Sequence, residues 1–318
     1  MDKADNSKAG RISRRSFINT AACTSFFISI SRNSIISSDV LLQDWPSDAG
    51  KSKFYMIGHA HIDPVWLWPW SEGLAVVHST FRSALDRLNE TPGAAFVSSS
   101  AQFYEWVSEN DPGMINEIRK RIEEGRWNIV GGWWVEPDVN IPCGESLVRQ
   151  GLYGQKTFQK LFERKATVAF NPDSFGHTAT LPQIIKKQGM ENYIFMRPAP
   201  HEKNLPSDLF WWEGPDGSKV LTYRIQVSYN DEGSVKTRIG NILSKSASQP
   251  MKSFMAFYGV GDHGGGATKE NISSILDLQK DKKAPEIFFS TPEKYFAEMQ
   301  AQKDLKIPVV KDDLQHHA

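Results

Sequence analysis

Short apolar runs alternate with helix-type segments from about residue 53 to the end of this 318-residue chain. Each run is brief and is bounded by turn-forming or charged residues, as buried parallel strands tend to be. Eight runs fit this description: residues 54–57, 94–97, 127–130, 167–170, 193–196, 219–223, 254–258 and 286–289. The alternation predicts an α/β fold, built either as a layered parallel sheet or as a barrel.

Helical periodicity occupies the segments between these runs. Ile115, Ile118 and Ile122 fall on one face of a helix at positions i, i+3 and i+7, with charged residues elsewhere. Gly125 is well suited to end that helix, because glycine readily adopts the left-handed conformation. Residues 147–162 and 181–188 show similar patterns, so we expect helices to pack between the strands.

The composition excludes several classes of protein. Lys and Arg number 37 and so do Asp and Glu, which gives a formal net charge of zero. A dedicated nucleic-acid binder usually carries a basic excess, so we expect no nucleic-acid partner. No uninterrupted apolar run approaches the roughly 18–20 residues that cross a bilayer, so we expect no membrane span. Two cysteines cannot form a disulfide scaffold.

The first 52 residues differ from the rest of the chain. Arg14 and Arg15 precede a mildly apolar stretch at residues 21–30, which is an export-signal pattern. Residues 13–18 resemble the bacterial twin-arginine signal, and a basic tail without a targeting role is the alternative. We therefore expect a leader and linker over residues 1–52, a single domain over residues 53–318, and a periplasmic or otherwise exported protein.

The first chemical cluster comes directly after the first predicted strand. His61 and Asp63 lie two residues apart, so they project to the same side of an extended segment. An imidazole and a carboxylate that converge in this way suit a divalent metal. His59 lies on the same side, either as a third ligand or as a group that orients one. The alternative is that these histidines are structural and that the nearby tryptophans are part of the core.

Two further clusters also follow predicted strands, where ligands bind in parallel α/β folds. Asp173, in the segment 171–177, is placed to be a metal ligand, a nucleophile or both, and a helix N-cap is the alternative. The glycine-rich segment 258–266 lacks the spacing of a phosphate-binding loop. We interpret it as a loop that brings Asp262 close to a substrate, with a flexible surface loop as the alternative.

An acidic and aromatic segment follows the strand predicted at residues 127–130. Residues 131–140 combine two tryptophans with Glu136, Asp138 and Asn140. Aromatic faces stack on sugar rings, and carboxylates and amides bind hydroxyl groups. A structural role for one of the tryptophans is also expected. We predict that Trp134 and Asp138 contact a carbohydrate substrate.

Five motifs in this order resemble those of the catalytic domain of glycoside hydrolase family 38, the α-mannosidases. They lie at residues 58–64, 131–138, 144–150, 171–177 and 259–266. The resemblance extends from about residue 53 to the end of the chain. It implies a seven-stranded, mostly parallel β/α barrel-like domain that hydrolyses α-mannosides or mannose-containing glycans.

The resemblance also implies roles for individual residues. The family binds one zinc ion, and its ligands match His61, Asp63 and Asp173. Asp173 matches the family nucleophile as well, and Asp262 matches the probable acid/base. Trp66 matches an aromatic residue that stacks on the bound sugar, and we expect His263, in the loop of Asp262, to contact the substrate too.

The chain departs from the family pattern at its end. The last zinc ligand of the family lies in a Gln-x-His-Asp motif that this sequence lacks. We therefore expect a truncated catalytic domain in which the fourth zinc ligand is missing. His316 and His317 are the alternative ligands, and we expect neither of them to complete the site.

Two other functions remain open on the sequence alone. A metal-dependent hydrolase similar to polysaccharide deacetylases would also join His and Asp ligands on an irregular barrel, but it would activate water on the metal. An inactive sugar-binding fragment would bind mannose without cleaving a bond.

Overall fold

The computed structural model describes residues 44–230, 234–247, 249 and 251–316. The predicted twin-arginine leader and His317 lie outside these residues. Within them ten strands are present: β1 (Lys53–His59), β2 (Phe96–Ser98), β3 (Trp127–Ile129), β4 (Val168–Asn171), β5 (Asn192–Phe195), β6 (Leu209–Glu213), β7 (Lys219–Arg224), β8 (Ser253–Tyr258), β9 (Glu286–Phe289) and β10 (Val309–Val310). All eight predicted strands are found among these ten.

The strands pair as two five-stranded sheets. In the first sheet the order is β3-β2-β1-β8, and β9 pairs with the first half of β1. All the pairings in this sheet are parallel. In the second sheet the order is β10-β6-β7-β5-β4, and only the pairing of β6 with β7 is antiparallel.

Helices follow most of the strands, as expected for an α/β fold. The described residues form α1 (Trp70–Glu90), α2 (Ala101–Asn110), α3 (Pro112–Glu123), α4 (Gly144–Phe162), α5 (Leu181–Lys187), α6 (Val235–Lys245), α7 (Lys269–Leu278) and α8 (Pro292–Ala301). The predicted face of α3 is confirmed, because Ile115, Ile118 and Ile122 are all buried. Asp111 caps this helix by accepting a hydrogen bond from the Met114 N–H.

The prediction of an α/β fold with mostly parallel strands is confirmed, but a seven-stranded barrel is not. No closed sheet occurs among the described strands. The two sheets meet where Gly131, just after β3, donates a backbone hydrogen bond of 2.8 Å to Val168 of β4. On the other side the Tyr223 hydroxyl bonds to the backbone of Met255. Single contacts of this kind bring the sheets together without a continuous ladder.

Most strand residues are buried, and most of the buried ones are apolar. Every residue of β8 and all but the first of β1 are buried. This burial explains why the strands appear in the sequence as continuous apolar runs rather than as alternating patterns. In the described part of the chain, no helix has both the length and the apolar character that a membrane span requires.

Candidate active site

The loops that follow β1, β3 and β4 line one small cavity. Its volume is about 130 Å³. The lining residues are His61, Asp63, Glu136, Pro137, Asp138, Asn171, Asp173, Ser174 and Phe175. The predicted clusters therefore meet at the carboxyl ends of the strands, where parallel α/β folds place their ligands.

The loop after β8 reaches the same place because it stays in register with the loop after β1. The two strands pair Gly58 with Tyr258, and the same offset pairs Ile62 with Asp262 in an isolated parallel bridge. The Asp63 N–H donates a hydrogen bond of 2.9 Å to the Asp262 carbonyl. Backbone pairing thus holds Asp63 and Asp262 side by side.

Glycines in the β8 loop make this close approach possible. A Cβ atom on Gly259 would lie 2.0 Å from the His59 carbonyl oxygen. A Cβ atom on Gly261 would lie 1.9 Å from Oδ1 of Asn230. Asp262 itself has a φ of +64°, a conformation that aspartate tolerates better than most residues. The glycines therefore serve close backbone packing beside Asp262.

His61 lies at the centre of a group of carboxylates. Its Nε2 atom is 3.5 Å from Oδ1 of Asp63 and 3.9 Å from Oδ2 of Asp173, and its Nδ1 atom is 3.2 Å from Oε2 of Glu136. Burial lowers the pKa of His61, but the carboxylates of Glu136 and Asp63 outweigh burial and hold the pKa well above its usual value. The group therefore strongly favours a positive charge at this point.

The arrangement fits a divalent cation. Ligand atoms of His61, Asp63 and Asp262 all lie within 4.8 Å of one another. Nε2 of His61 is buried and has no hydrogen-bond partner among the residues that the structure describes. One imidazole nitrogen and several carboxylate oxygens form a donor set that zinc accepts. The geometry adds Asp262 to the potential metal ligands. Asp173 lies slightly apart from them, with its Oδ2 atom 3.9 Å from Nε2 of His61.

His59 is a core residue rather than a member of this group. It is fully buried, and its ring meets Phe170 and Phe257 edge-on at centroid distances of 4.9 and 6.1 Å. Burial lowers its pKa to about 3, so the ring is neutral. His59 is not in the group of His61, Asp63 and Asp262 whose ligand atoms lie within 4.8 Å of one another.

Two donors hold one oxygen of Asp173. The Tyr229 hydroxyl donates to Oδ1 at 2.7 Å, and the Arg197 guanidinium donates to the same atom at 3.1 and 3.3 Å. Burial, followed by the contact with Asp173, raises the pKa of Tyr229, so this residue remains a phenol that can donate. The second oxygen of Asp173 is left to face His61.

Arg197 is in turn positioned by a buried hydrogen-bond chain. The Tyr193 hydroxyl lies 2.7 Å from Nδ1 of His177, and Nε2 of His177 lies 2.6 Å from the Arg197 carbonyl. Since a carbonyl can only accept, Nε2 carries the proton and Nδ1 accepts from the tyrosine. The Arg197 guanidinium also stacks over Phe175 at 4.7 Å.

The two substrate contacts predicted after β3 lie in different surroundings. Asp138 is exposed and lines the cavity, and its Oδ1 accepts backbone hydrogen bonds from Asn140 and Ile141. Trp134 is half-buried against the core, and its backbone is bonded to Gln150 and Gln102. Asp138 is thus placed at the site, whereas Trp134 is not among the residues that line the cavity.

The other two predicted contacts belong to an aromatic group beside the site. Trp66 is 60 % exposed and meets Trp68 edge-on at 5.7 Å. Trp68 meets His263 edge-on at 4.5 Å, and its indole N–H donates to the Asp63 carbonyl at 2.9 Å. His263 also contacts Glu72 at 2.8 Å. Trp68 therefore connects this exposed group, which contains Trp66 and His263, to the candidate metal ligands.

The described end of the chain reaches the rim of the site without joining the ligand group. His316 pairs with Glu202 through Nδ1, and its ring lies 5.4 Å from that of Phe175. Leu314 forms an isolated antiparallel bridge with His177. His316 thus has an acidic partner of its own, Glu202.

Sequence reasoning missed four residues that contact the predicted ones. They are Glu136 beside His61, Arg197 and Tyr229 on Asp173, and Asn230, whose amide donates to Asp262 at 2.6 Å. The sequence places Glu136 in an acidic segment but assigns it no role of its own. The other three follow β5 and β7, so the rule that ligands gather at the carboxyl ends of strands could have found them.

Glu136→Gln should lower the affinity for zinc. A carboxylate on the second nitrogen of a metal-binding histidine orients the ring and raises its basicity, and losing one typically costs about 10–100-fold in affinity. The measurement is a competition titration with a chromogenic chelator. Glu105→Gln serves as a control, because Glu105 lies on α2 and does not line the cavity. Equal zinc affinity in parent and Glu136→Gln would remove this role.

His177 should make the fold sensitive to acid. Burial lowers its pKa to about 4, whereas an unfolded histidine titrates near 6.5. Between these values the unfolded chain binds a proton that the folded chain does not. The stabilising contribution is therefore complete above about pH 6.5 and is lost as the pH falls toward 4, by at most about 1.4 kcal/mol per pH unit.

Urea unfolding of the parent and His177→Gln at pH 7, 5.5 and 4.5 measures this contribution. Carboxylates titrate in both proteins, so only the difference between the two curves reports on His177. We expect the stability advantage of the parent to shrink as the pH falls. A constant difference across the three pH values would contradict the assignment.

Comparison with known proteins agrees with this geometry. The family model described as "Glycosyl hydrolases family 38 N-terminal domain" matches residues 51–317. Alpha-mannosidase G of Dictyostelium discoideum is 36 % identical over 255 residues, which are 80 % of this chain and 24 % of that protein. Alpha-mannosidase 2C1 of Homo sapiens is 32 % identical over 249 residues, 78 % of this chain and 24 % of that protein. The chain thus spans about a quarter of the length of these relatives.

A solved structure supports the fold independently. The crystal structure of an alpha-mannosidase from Enterococcus faecalis V583 superposes with a TM-score of 0.71 at 20 % identity, over 83 % of this chain and 31 % of that one. The family match covers most of the chain and includes every residue that lines the cavity. The protein therefore belongs to glycosyl hydrolase family 38, through the N-terminal domain of that family.

Proposed function

We propose that this protein contributes the catalytic centre of a zinc-dependent hydrolase that cleaves α-mannosidic bonds with retention of configuration. The observation that carries the proposal is the convergence of Asp63, Asp173 and Asp262 around the buried imidazole of His61. Such a cluster supplies both a cation site and two carboxylates for chemistry at a glycosidic bond. Membership in a family whose relatives include alpha-mannosidases directs the proposal to mannosides.

Asp173 acts as the nucleophile in this mechanism. Tyr229 and Arg197 both donate hydrogen bonds to its Oδ1 atom. Its Oδ2 atom attacks the anomeric carbon, and the bond to the leaving oxygen breaks as a covalent glycosyl-enzyme forms. Because both donors hold the same oxygen, the other oxygen is oriented before the sugar arrives.

Asp262 acts as the acid and then as the base. It protonates the leaving oxygen in the first step and removes a proton from water in the second. The water oxygen then replaces Asp173 at the anomeric carbon, and configuration is retained. The Asn230 amide, 2.6 Å from Oδ1, orients this carboxyl group.

His61 and Asp63 would hold the zinc ion together with a carboxylate from Asp173 or Asp262. Bound there, zinc would supply a Lewis acid for sugar hydroxyls and a positive charge beside the carboxylates. Trp66 offers an exposed ring face beside the cavity, and Asp138 offers a carboxylate for hydroxyl groups. These residues would orient the mannoside.

Hydrolysis of 4-nitrophenyl α-mannoside tests the function. The purified protein is assayed after chelation and after zinc is added back, beside the β-mannoside and an acetylated chitooligosaccharide. We expect zinc-dependent release of 4-nitrophenol from the α-mannoside alone. Release of acetate from the chitooligosaccharide would instead favour a deacetylase-like hydrolase. Mannose binding without turnover of any substrate would favour a sugar-binding protein, and either result would refute the proposal.

A further inference from the structure

A second and larger cavity lies at the opposite end of the strands. Its volume is about 510 Å³, within the usual range for small-molecule sites. Trp127 and Asn192, the first residues of β3 and β5, line it, and so does Thr167, just before β4. The candidate active site lies beyond the carboxyl ends of β3 and β4, and the two cavities share no lining residue.

The charge of this cavity is positive. Arg164, Lys165 and Lys294 line it, beside the single carboxylate of Glu293. Arg164 and Lys165 are exposed at the edge of the cavity and have no ion-pair partner in the described ranges of the chain. Glu293 accepts a hydrogen bond of 2.7 Å from the Thr167 hydroxyl, and Lys294 donates to the Gly125 carbonyl at 3.3 Å. An excess of cations without carboxylate partners is an arrangement that attracts an anion.

Buried amides give the cavity a second kind of recognition. Asn128 is only 6 % exposed, and its Oδ1 atom has no hydrogen-bond partner among the described residues. Asn192 is similarly buried, and its Oδ1 lies 3.5 Å from the Gln300 amide. A buried acceptor without a donor costs free energy, and a ligand hydroxyl would remove that cost. The cavity therefore offers an acceptor for hydroxyl groups beside its cations.

We propose that this cavity binds a phosphorylated monosaccharide. The phosphate would pair with Arg164 and Lys165. Sugar hydroxyls would donate to Oδ1 of Asn128 and would form hydrogen bonds with the side-chain amides of Asn192 and Gln300. Arginine and lysine are the usual phosphate partners, and the volume accommodates a sugar ring with its phosphate. The site is separate from the proposed mannosidase centre and does not depend on that function.

Calorimetric titration with glucose 6-phosphate at low ionic strength tests the proposal. We expect saturable binding that is at least tenfold tighter than that of inorganic phosphate or glucose. The double variant Arg164→Gln/Lys165→Gln should weaken binding at least tenfold. Lys156→Gln/Lys187→Gln is the matched control, because it removes two exposed charges that do not line the cavity. Asp173→Asn should bind as the parent does, because it alters only the active-site cavity.

A further variant separates hydroxyl recognition from simple anion binding. Asn128→Val should bring the affinity for glucose 6-phosphate down to that for inorganic phosphate, with the phosphate affinity unchanged and thermal unfolding confirming a folded protein. Equal binding by the parent and the Arg164→Gln/Lys165→Gln variant would overturn the proposal. So would the absence of saturable binding, or equal affinity of the parent for inorganic phosphate and the sugar phosphate.

Discussion

Asp173→Asn should abolish turnover of an aryl α-mannoside. The substitution removes the nucleophilic oxygen and, with it, a negative charge 3.9 Å from His61. Loss of a nucleophile normally costs several powers of ten in kcat, so we expect a fall of at least about a thousandfold. The measurement is kcat at saturating substrate and zinc, together with the zinc content of the purified variant.

The matched control for this variant is Asp138→Asn. Asp138 lines the same cavity, but its carboxylate accepts hydrogen bonds from the backbone of its own turn. We expect Asp138→Asn to raise KM more than it lowers kcat. Thermal unfolding of both variants shows whether the fold is kept. If Asp173→Asn folds and retains more than about a hundredth of the parent activity, Asp173 is not the nucleophile.

Asp262→Asn should produce the second-largest loss. Without an acid the leaving oxygen departs unprotonated, so the loss should grow as the leaving group becomes more basic. General acid–base catalysis contributes about 10²–10⁴-fold, and we expect a fall of that size for a poor leaving group. A 2,4-dinitrophenyl mannoside should be cleaved far better by the variant than an alkyl mannoside. Added azide should restore the second step of the variant, because azide attacks the glycosyl-enzyme without needing a base.

The zinc content of Asp262→Asn distinguishes the two roles that the geometry allows for this residue. A ligand atom of Asp262 lies within 4.8 Å of those of His61 and Asp63. If Asp262 is the acid/base alone, the variant should keep its zinc through dialysis. Loss of zinc combined with an equal loss of activity on both leaving groups would identify Asp262 as a ligand and contradict the acid/base role.

The strands could be predicted from the sequence where they are buried on both faces. Short apolar runs between turn residues mark eight strands, and five of these, β2, β3, β4, β5 and β8, are buried at every residue. The antiparallel strand β6 (Leu209–Glu213) was missed, although its run of aromatic residues is suited to a strand. The edge strand β10 has only two residues, which is too short for any periodicity.

The site could be predicted residue by residue but not as a group. Each predicted carboxylate follows a strand, so local patterns were enough to find it. Asp262 lies beside His61 and Asp63 only because β8 pairs with β1, and because the same register continues into the loops that follow these two strands. The contacts of Arg197 and Tyr229 with Asp173 depend likewise on the order of β4, β5 and β7. Pairings between segments far apart in the chain are not encoded in any local pattern.

Trapping with a fluorinated mannosyl inactivator tests the central claim most directly. The fluorine slows the second step more than the first, so a retaining enzyme accumulates its glycosyl-enzyme. Mass spectrometry of the intact protein and of its proteolytic peptides should then show one fluoromannosyl group, attached to Asp173, together with loss of activity. A protein that hydrolyses mannosides but acquires no label, or acquires it on another carboxylate, would contradict the account.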